Sequence, residues 1–119
     1  MTDYTPKLAK GEKLAGLILV DGAWQFLILL PGEVDNVSWK KAIDWAAKQG
    51  GGSLPTRNEQ ALLYANLKTE LQPRWYWSCE QYAPDLYYAW AQNFDNCYQN
   101  GYRKNDFFRA LAVRRLEIL

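Results

Sequence analysis

Two apolar runs, Leu14 to Val20 and Ala23 to Leu30, are separated only by Asp21-Gly22. This spacing restricts the fold more than any other feature of the chain. A two-residue link closes a hairpin through a turn with positive φ at both positions, and Asp-Gly is among the few dipeptides that adopt it readily. Neither run alternates cleanly, since Leu17, Ile18 and Leu19, then Phe26 to Leu29, put bulk on both sides. Strands of that kind are expected to be central and covered on both faces. The hairpin therefore needs a further strand, and the C-terminal run Phe108 to Leu116 is the expected partner. A chain of 119 residues fits one domain, residues 1–119, with 1–12 expected as a partly flexible N-terminal extension.

After Pro31-Gly32, apolar residues at Trp39, Ala42, Ile43 and Ala46 follow one helical face, with Lys40, Lys41, Asp44 and Lys48 on the other. Asn36 or Ser38 can cap the start, and Gly50 to Gly52 can end the helix. A second helix opens at Thr56, because Thr56 and Glu59 have the T-x-x-E spacing of a capping box; Leu62, Ala65 and Leu67 are expected on its buried side. From Arg74 onward the pattern changes to short strand-like runs, Arg74 to Ser78, Tyr88 to Phe94, Cys97 to Tyr102 and Phe108 to Arg115, punctuated by Asp, Asn, Pro and Gly, and an antiparallel meander with long loops is expected. A hairpin, two helices and then strands make an α+β domain, with both helices packed on the sheet.

Composition removes several functions. Fourteen Lys and Arg against thirteen Asp and Glu leave a net charge of +1, so no broad field favours nucleic acid, and general nucleic-acid binding is not expected. Histidine is absent, which takes away the commonest general base and transition-metal ligand. Cys79 and Cys97 are too few for a disulfide framework or a metal set; with no zinc, no cofactor and no catalytic dyad expected, both are read as reduced thiols. The seventeen residues from Leu14 to Leu30, interrupted by Asp21, Gly22 and Gln25, are short for a membrane span. MTDYTPKLAKGEK shows no apolar core region of a secretory signal, and a cytoplasmic location is expected.

Four separated motifs carry a resemblance. Ser53-Leu54-Pro55-Thr56-Arg57-Asn58-Glu59, then Trp75-Tyr76-Trp77-Ser78, then Ala89-Trp90, and the terminal Arg109-Ala110-Leu111-Ala112-Val113-Arg114-Arg115 are together similar to a bacterial and phage domain family of unassigned function with a C-type-lectin-like fold. That family's pattern is an LPT-x-x-E helix start, a YWSS-x-E strand, an AW strand with an Asn/Gly-rich turn, and a closing R-x-V-R. The resemblance covers roughly Trp39 to Leu116. It implies a fold that hosts lectins, phage tropism determinants, formylglycine-generating oxidases and adhesins. Sugar-binding members of the fold use a Glu-Pro-Asn or Gln-Pro-Asp loop and a Trp-Asn-Asp strand for calcium. Here Gln72-Pro73 is followed by Arg74 and no Trp-Asn-Asp occurs, so calcium-dependent sugar binding is not expected, although Asp95, Asn96 and Asp106 could still gather a weak cation. The oxidase branch depends on cysteines and a metal; Cys79 stands at the second Ser of YWSS with no histidine to activate it, so an enzyme is not expected.

Within the motifs, Trp75, Trp77 and Trp90 are expected as core pillars, and Arg109, Arg114 and Arg115 as partners of carboxylates such as Glu59 and Glu80. Between Glu80 and Asp106 fall five of the eight tyrosines and four of the seven asparagines. Tyrosine gives rigid amphipathic contact area and asparagine adaptable hydrogen bonding, which is the composition of a paratope. Tyr82, Tyr87, Tyr98, Asn100, Tyr102, Lys104 and Asn105 are accordingly the expected protein-binding face. The function expected is a small non-enzymatic module of phage or prophage type that binds a host protein such as a defence or regulatory factor. A ligand-binding domain of the diversified variable or adhesin class is the alternative.

Overall fold

Asp21 and Gly22 take φ values of 49° and 80°, the positive pair that a two-residue hairpin turn demands, and Val20 lies opposite Ala23. In the computed structural model, which describes residues 5–118, this turn joins β1 (Lys13–Val20) to β2 (Ala23–Val37). There follow α1 (Trp39–Ala47), α2 (Arg57–Leu67), a short 3-10 turn Lys68–Glu70, β3 (Trp75–Gln81), β4 (Tyr88–Asn93), β5 (Gln99–Arg103) and β6 (Phe108–Glu117). The chain is a compact α+β domain with one six-stranded mixed sheet in the order β1-β2-β6-β3-β4-β5; the expected antiparallel meander holds for β3 to β5 only, because β6 inserts between β2 and β3 and meets β3 in parallel.

The hairpin does pair with the C-terminal strand: β2 runs antiparallel to β6, with Phe26 opposite Leu116 and Leu29 opposite Val113. Bulk on successive residues is explained for β2, because Leu27 to Leu30 are all buried between two layers. Leu27 and Leu29 enter a core with Leu63 of α2, Phe94, Leu111 and Val113. Leu30 enters the opposite core with Ala42 and Ala46 of α1, Leu54, Trp77, Ala110 and Ala112. Alternate residues of one strand thus serve the two helices, one on each face of the sheet.

Three local expectations are corrected. β1 is not central but the sheet's edge, and of its residues only Ala15 is buried, while Leu17 and Leu19 are 49% and 54% exposed. Pro31-Gly32 does not end the second strand; two extra residues bulge between Leu29 and Glu33, Gly32 takes φ 91°, and the strand continues to Val37. On the helices, Ile43 and Ala65 face solvent, with Trp45 turned inward on α1 and Glu59, Gln60 and Leu63 buried on α2. The shift on α2 has a polar cause, since Gln60 Nε2 donates to the Tyr76 carbonyl and Glu59 is drawn inward by Arg115.

Both helices are capped by hydroxyl side chains. Ser38, rather than Asn36, accepts from Lys41 N at the start of α1. At α2 the capping box is complete: Thr56 Oγ1 accepts from Glu59 N at 3.2 Å and Glu59 Oε1 accepts from Thr56 N at 2.8 Å. The same carboxylate receives Arg115 Nε and Nη2, and Arg115 Nη1 donates to Ser53 Oγ at 2.7 Å. Backbone bonds exchanged between Ser53 and Val113 complete the junction of α2's lead-in with β6. Of the other arginines, Arg109 pairs with Glu33 and Asp35, and Arg114 with Glu12. Glu80 takes no arginine side chain as an ion-pair partner; its Oε2 accepts from Arg57 N.

The Glu12–Arg114 pair holds the segment before β1, where Arg114 Nη2 also donates to the Lys7 carbonyl. Of the expected flexible stretch 1–12, the first four residues lie outside the described residues, and within the rest Pro6 is buried. The hydrogen bond from Arg114, followed by that from Ala9 N, lowers the Glu12 carboxyl from 4.5 to about 2. A depressed carboxyl pKa adds stability that is complete above the unfolded value and is lost as pH falls through the folded one. Glu12→Gln should therefore cost about 1 kcal/mol in urea unfolding at pH 7, the surface-pair scale, with the difference closing between about pH 4.5 and 2. Arg115→Ala leaves Glu59, 1% exposed, without its cation and should cost about 3 kcal/mol in the same assay, against about 1 kcal/mol for Thr56→Ala.

Candidate functional site

The loop from β3 to β4 is built by its own polar groups. Tyr82 N donates to the Tyr88 carbonyl at 3.0 Å and closes it, while Asp85 Oδ1 accepts from Tyr87 N at 2.9 Å inside it. This leaves Leu86 and Tyr87 at the tip, 68% and 81% exposed. The loop from β5 to β6 lies against it, because Lys104 N donates to the Tyr87 carbonyl at 2.9 Å, and it carries Phe107, 61% exposed. Between the two loops is a cleft of about 550 Å³ lined by Asp85, Tyr87, Tyr88, Arg103, Lys104 and Asn105. That volume lies in the range of small-molecule sites, about 300–1,000 Å³.

Its electrostatics are mixed. Arg103 has its pKa raised, first by a side-chain hydrogen bond with Tyr88, and stands in solvent. Lys104 Nζ donates to Gln81 Oε1 at 2.8 Å and sits 4.7 Å from the centre of the Trp39 ring, so it serves partly as a strut. Its carbonyl in turn accepts from Trp39 N at 3.0 Å, which ties the cleft to the start of α1. Asp85 supplies the opposing charge. Such a surface offers apolar anchors beside both signs of charge, as protein interfaces do.

Of the seven expected binding residues, Tyr87, Lys104 and Asn105 come together here. The others do not. Tyr102 is half-buried and packs against a core cluster, edge-on to Trp75 at 4.8 Å and to Phe108 at 5.1 Å between ring centres. Tyr82 lies over Gly101, where an added Cβ would stand 2.6 Å from its ring, and packs edge-on to Trp90 at 4.9 Å. Tyr98, 66% exposed, sits in the β4–β5 turn, at the other end of that hairpin and about 20 Å along the strands. Asn100 is exposed on β5, the sheet's second edge. Sequence reasoning missed Leu86, Phe107 and Arg103, since nothing local distinguishes an exposed Leu or Phe between turn residues from a core one.

The indoles divide similarly. Trp77 is fully buried and donates to the Val37 carbonyl, but Trp75 and Trp90 are half-buried. Trp90 is covered by the Arg57 guanidinium, 3.4 Å from its ring centre. Arg57 is held there by Gln99, which also bonds the fully buried Gln92. Both cysteines are free thiols. Burial pushes the Cys79 thiol above its usual range, and the Glu80 charge adds to this, which is the reverse of nucleophile activation. Cys97 takes φ 68° in the β4–β5 turn. Among the described residues, no three His, Cys, Asp or Glu side chains gather as a metal site, and no helix is long and apolar enough to cross a membrane.

No protein-family model matches the chain, and no curated protein matches it. The division between anchor and core is open to measurement. Tyr102→Ala removes a half-buried ring and should destabilise the fold by about 2 kcal/mol, below the cost of a fully buried aromatic, whereas Tyr87→Ala should stay within about 0.5 kcal/mol. Urea unfolding of the two variants reads the difference; equal losses would place Tyr87 in the structure rather than on the surface.

Proposed function

We propose that the chain is a small, non-enzymatic binding module with a C-type-lectin-like fold, of phage or prophage type, which acts in the host cytoplasm by covering part of a host protein. The observation that carries this reading is the exposed trio Leu86, Tyr87 and Phe107 on two mutually bonded loops beside the mixed-charge cleft. Large apolar side chains are held in water by an ordered backbone, so little conformational freedom remains to be lost on binding. The fold reading is supported by the places that the resembling motifs occupy. The LPT-x-x-E run and the final arginines meet in the Glu59–Arg115 junction, and Tyr76 and Trp77 of the third strand each enter one of the two cores. The absence of histidine and the raised Cys79 pKa support a role without catalysis.

The cleft itself favours a second reading, a small-ligand site of the diversified variable or adhesin class. Competition separates the two. Immobilised protein should capture a host protein, and Tyr87→Ala or Phe107→Ala should weaken capture by about thirtyfold, the scale of a hot-spot truncation, with Tyr98→Ala unchanged. Loss of capture with Tyr98→Ala alone, or elution by small sugars at millimolar concentration, would overturn the protein-surface reading.

A further inference from the structure

The edge strand β1 lies at the end of the sheet remote from the binding cleft, and part of its outer side is bare. Trp24 directs its carbonyl toward the C-terminal segment, where it accepts from Ile118 N at 3.1 Å. Leu19 stands opposite Trp24, and Leu17 opposite Phe26, so by antiparallel alternation both leucines turn their backbone N–H and C=O away from β2. Asn66 Nδ2 of α2 reaches round to the Ala15 carbonyl at 2.6 Å, which covers the strand only that far. From Leu14 to Val20 the strand has neither a charge nor a proline, the usual means by which an edge is kept from pairing. On the face opposite α2, Leu17, Leu19, Trp24 and Leu116 are 49%, 54%, 53% and 39% exposed.

We propose that this edge is the seat of a two-fold dimer, in which β1 pairs antiparallel with β1 of a second copy about an axis at Ile18. The register follows from the free groups. With Ile18 on the axis, Leu17 faces Leu19 of the second copy, and these two pairs form about four main-chain hydrogen bonds from groups that now lack strand partners. The same alignment sets Leu against Leu on the apolar face, and Trp24 and Phe26 of each copy extend the row. Asn66 on the Ala15 carbonyl limits the ladder to these two pairs, and the uncharged stretch Leu14 to Val20 of each copy brings no like charges opposite one another. A net charge of +1 opposes self-association little. Because β1 and β5 are opposite ends of the sheet, the dimer leaves both clefts free, and a tethered or multimeric partner would be engaged twice. The dimer does not depend on the reading of the cleft.

Sedimentation equilibrium of the full chain tests it. Wild type should be a dimer at tens of micromolar, and Leu19→Lys, a change at an exposed position, should weaken association at least tenfold, while its circular dichroism and melting temperature, read at about 1 μM where both proteins are monomeric, stay at the wild-type values. Tyr87→Ala, at the remote cleft, should dimerise normally. In a Cys79→Ser, Cys97→Ser background, oxidation of a mixture of Leu17→Cys and Leu19→Cys chains should crosslink the two, with either chain alone uncrosslinked. A wild-type monomer at all concentrations up to a millimolar, a Leu19→Lys dimer as tight as wild type, or crosslinking of Leu17→Cys alone would overturn the proposal.

Discussion

Glu59 is buried at a point where three parts of the chain must agree. Its carboxylate closes the first turn of α2 through Thr56 N, and it receives the forked guanidinium of Arg115 from the far end of β6. Removing a carboxylate from water is expensive unless its lone pairs are met, and here backbone and guanidinium donors meet them together. Each partner therefore depends on the other being in place. The helix cannot start elsewhere without stranding the arginine, and β6 cannot slip by one residue without turning Arg115 to the opposite face of the sheet. The Ser53–Val113 bridge fixes the same register from the backbone side.

From this junction the two cores follow. With β6 in register, Leu111 and Val113 face α2 while Ala110 and Ala112 face α1. The small alanines let α1, itself contributing Ala42 and Ala46, come close to the sheet, and Trp39, Trp45 and Trp77 fill the space around them. Trp39 then holds the Lys104 carbonyl, and Lys104 the Tyr87 carbonyl. The cleft is thus connected by hydrogen bonds and packing to the core beneath α1. A rigid scaffold that carries exposed loops is the usual arrangement for recognition.

What the sequence made legible was local or periodic. The Asp21-Gly22 turn and the Thr56–Glu59 box each lie within a few residues and have one physical solution, and the four C-terminal strands overlap the runs that strand-forming and turn residues mark. What failed depended on distant parts. The apolar run of β1 reads the same whether a strand is central or at an edge, and the run of β6 the same whether it follows β5 or inserts in parallel beside β3, since a strand's neighbours are a fact of topology. Glu59 and Glu80 were equal candidates for the arginines until the β6 register chose Glu59. Tyr102 and Tyr87 are the same residue type in similar surroundings of sequence. Pairing of Tyr102 with Ala89 turns the first toward Trp75 and the core, while the Asp85 turn lifts the second into solvent.

If the junction at Glu59 governs the fold, its amides should open only when everything opens. Residue-resolved hydrogen exchange reads this directly. Ser53, Glu59 and Val113 N–H groups should exchange together, at the slowest rate in the chain and with a free energy equal to that of global unfolding by urea, ahead of β4 and β5. Faster exchange at Ser53 and Val113 than in the β4–β5 hairpin would contradict the account and move the centre of stability to the other end of the sheet.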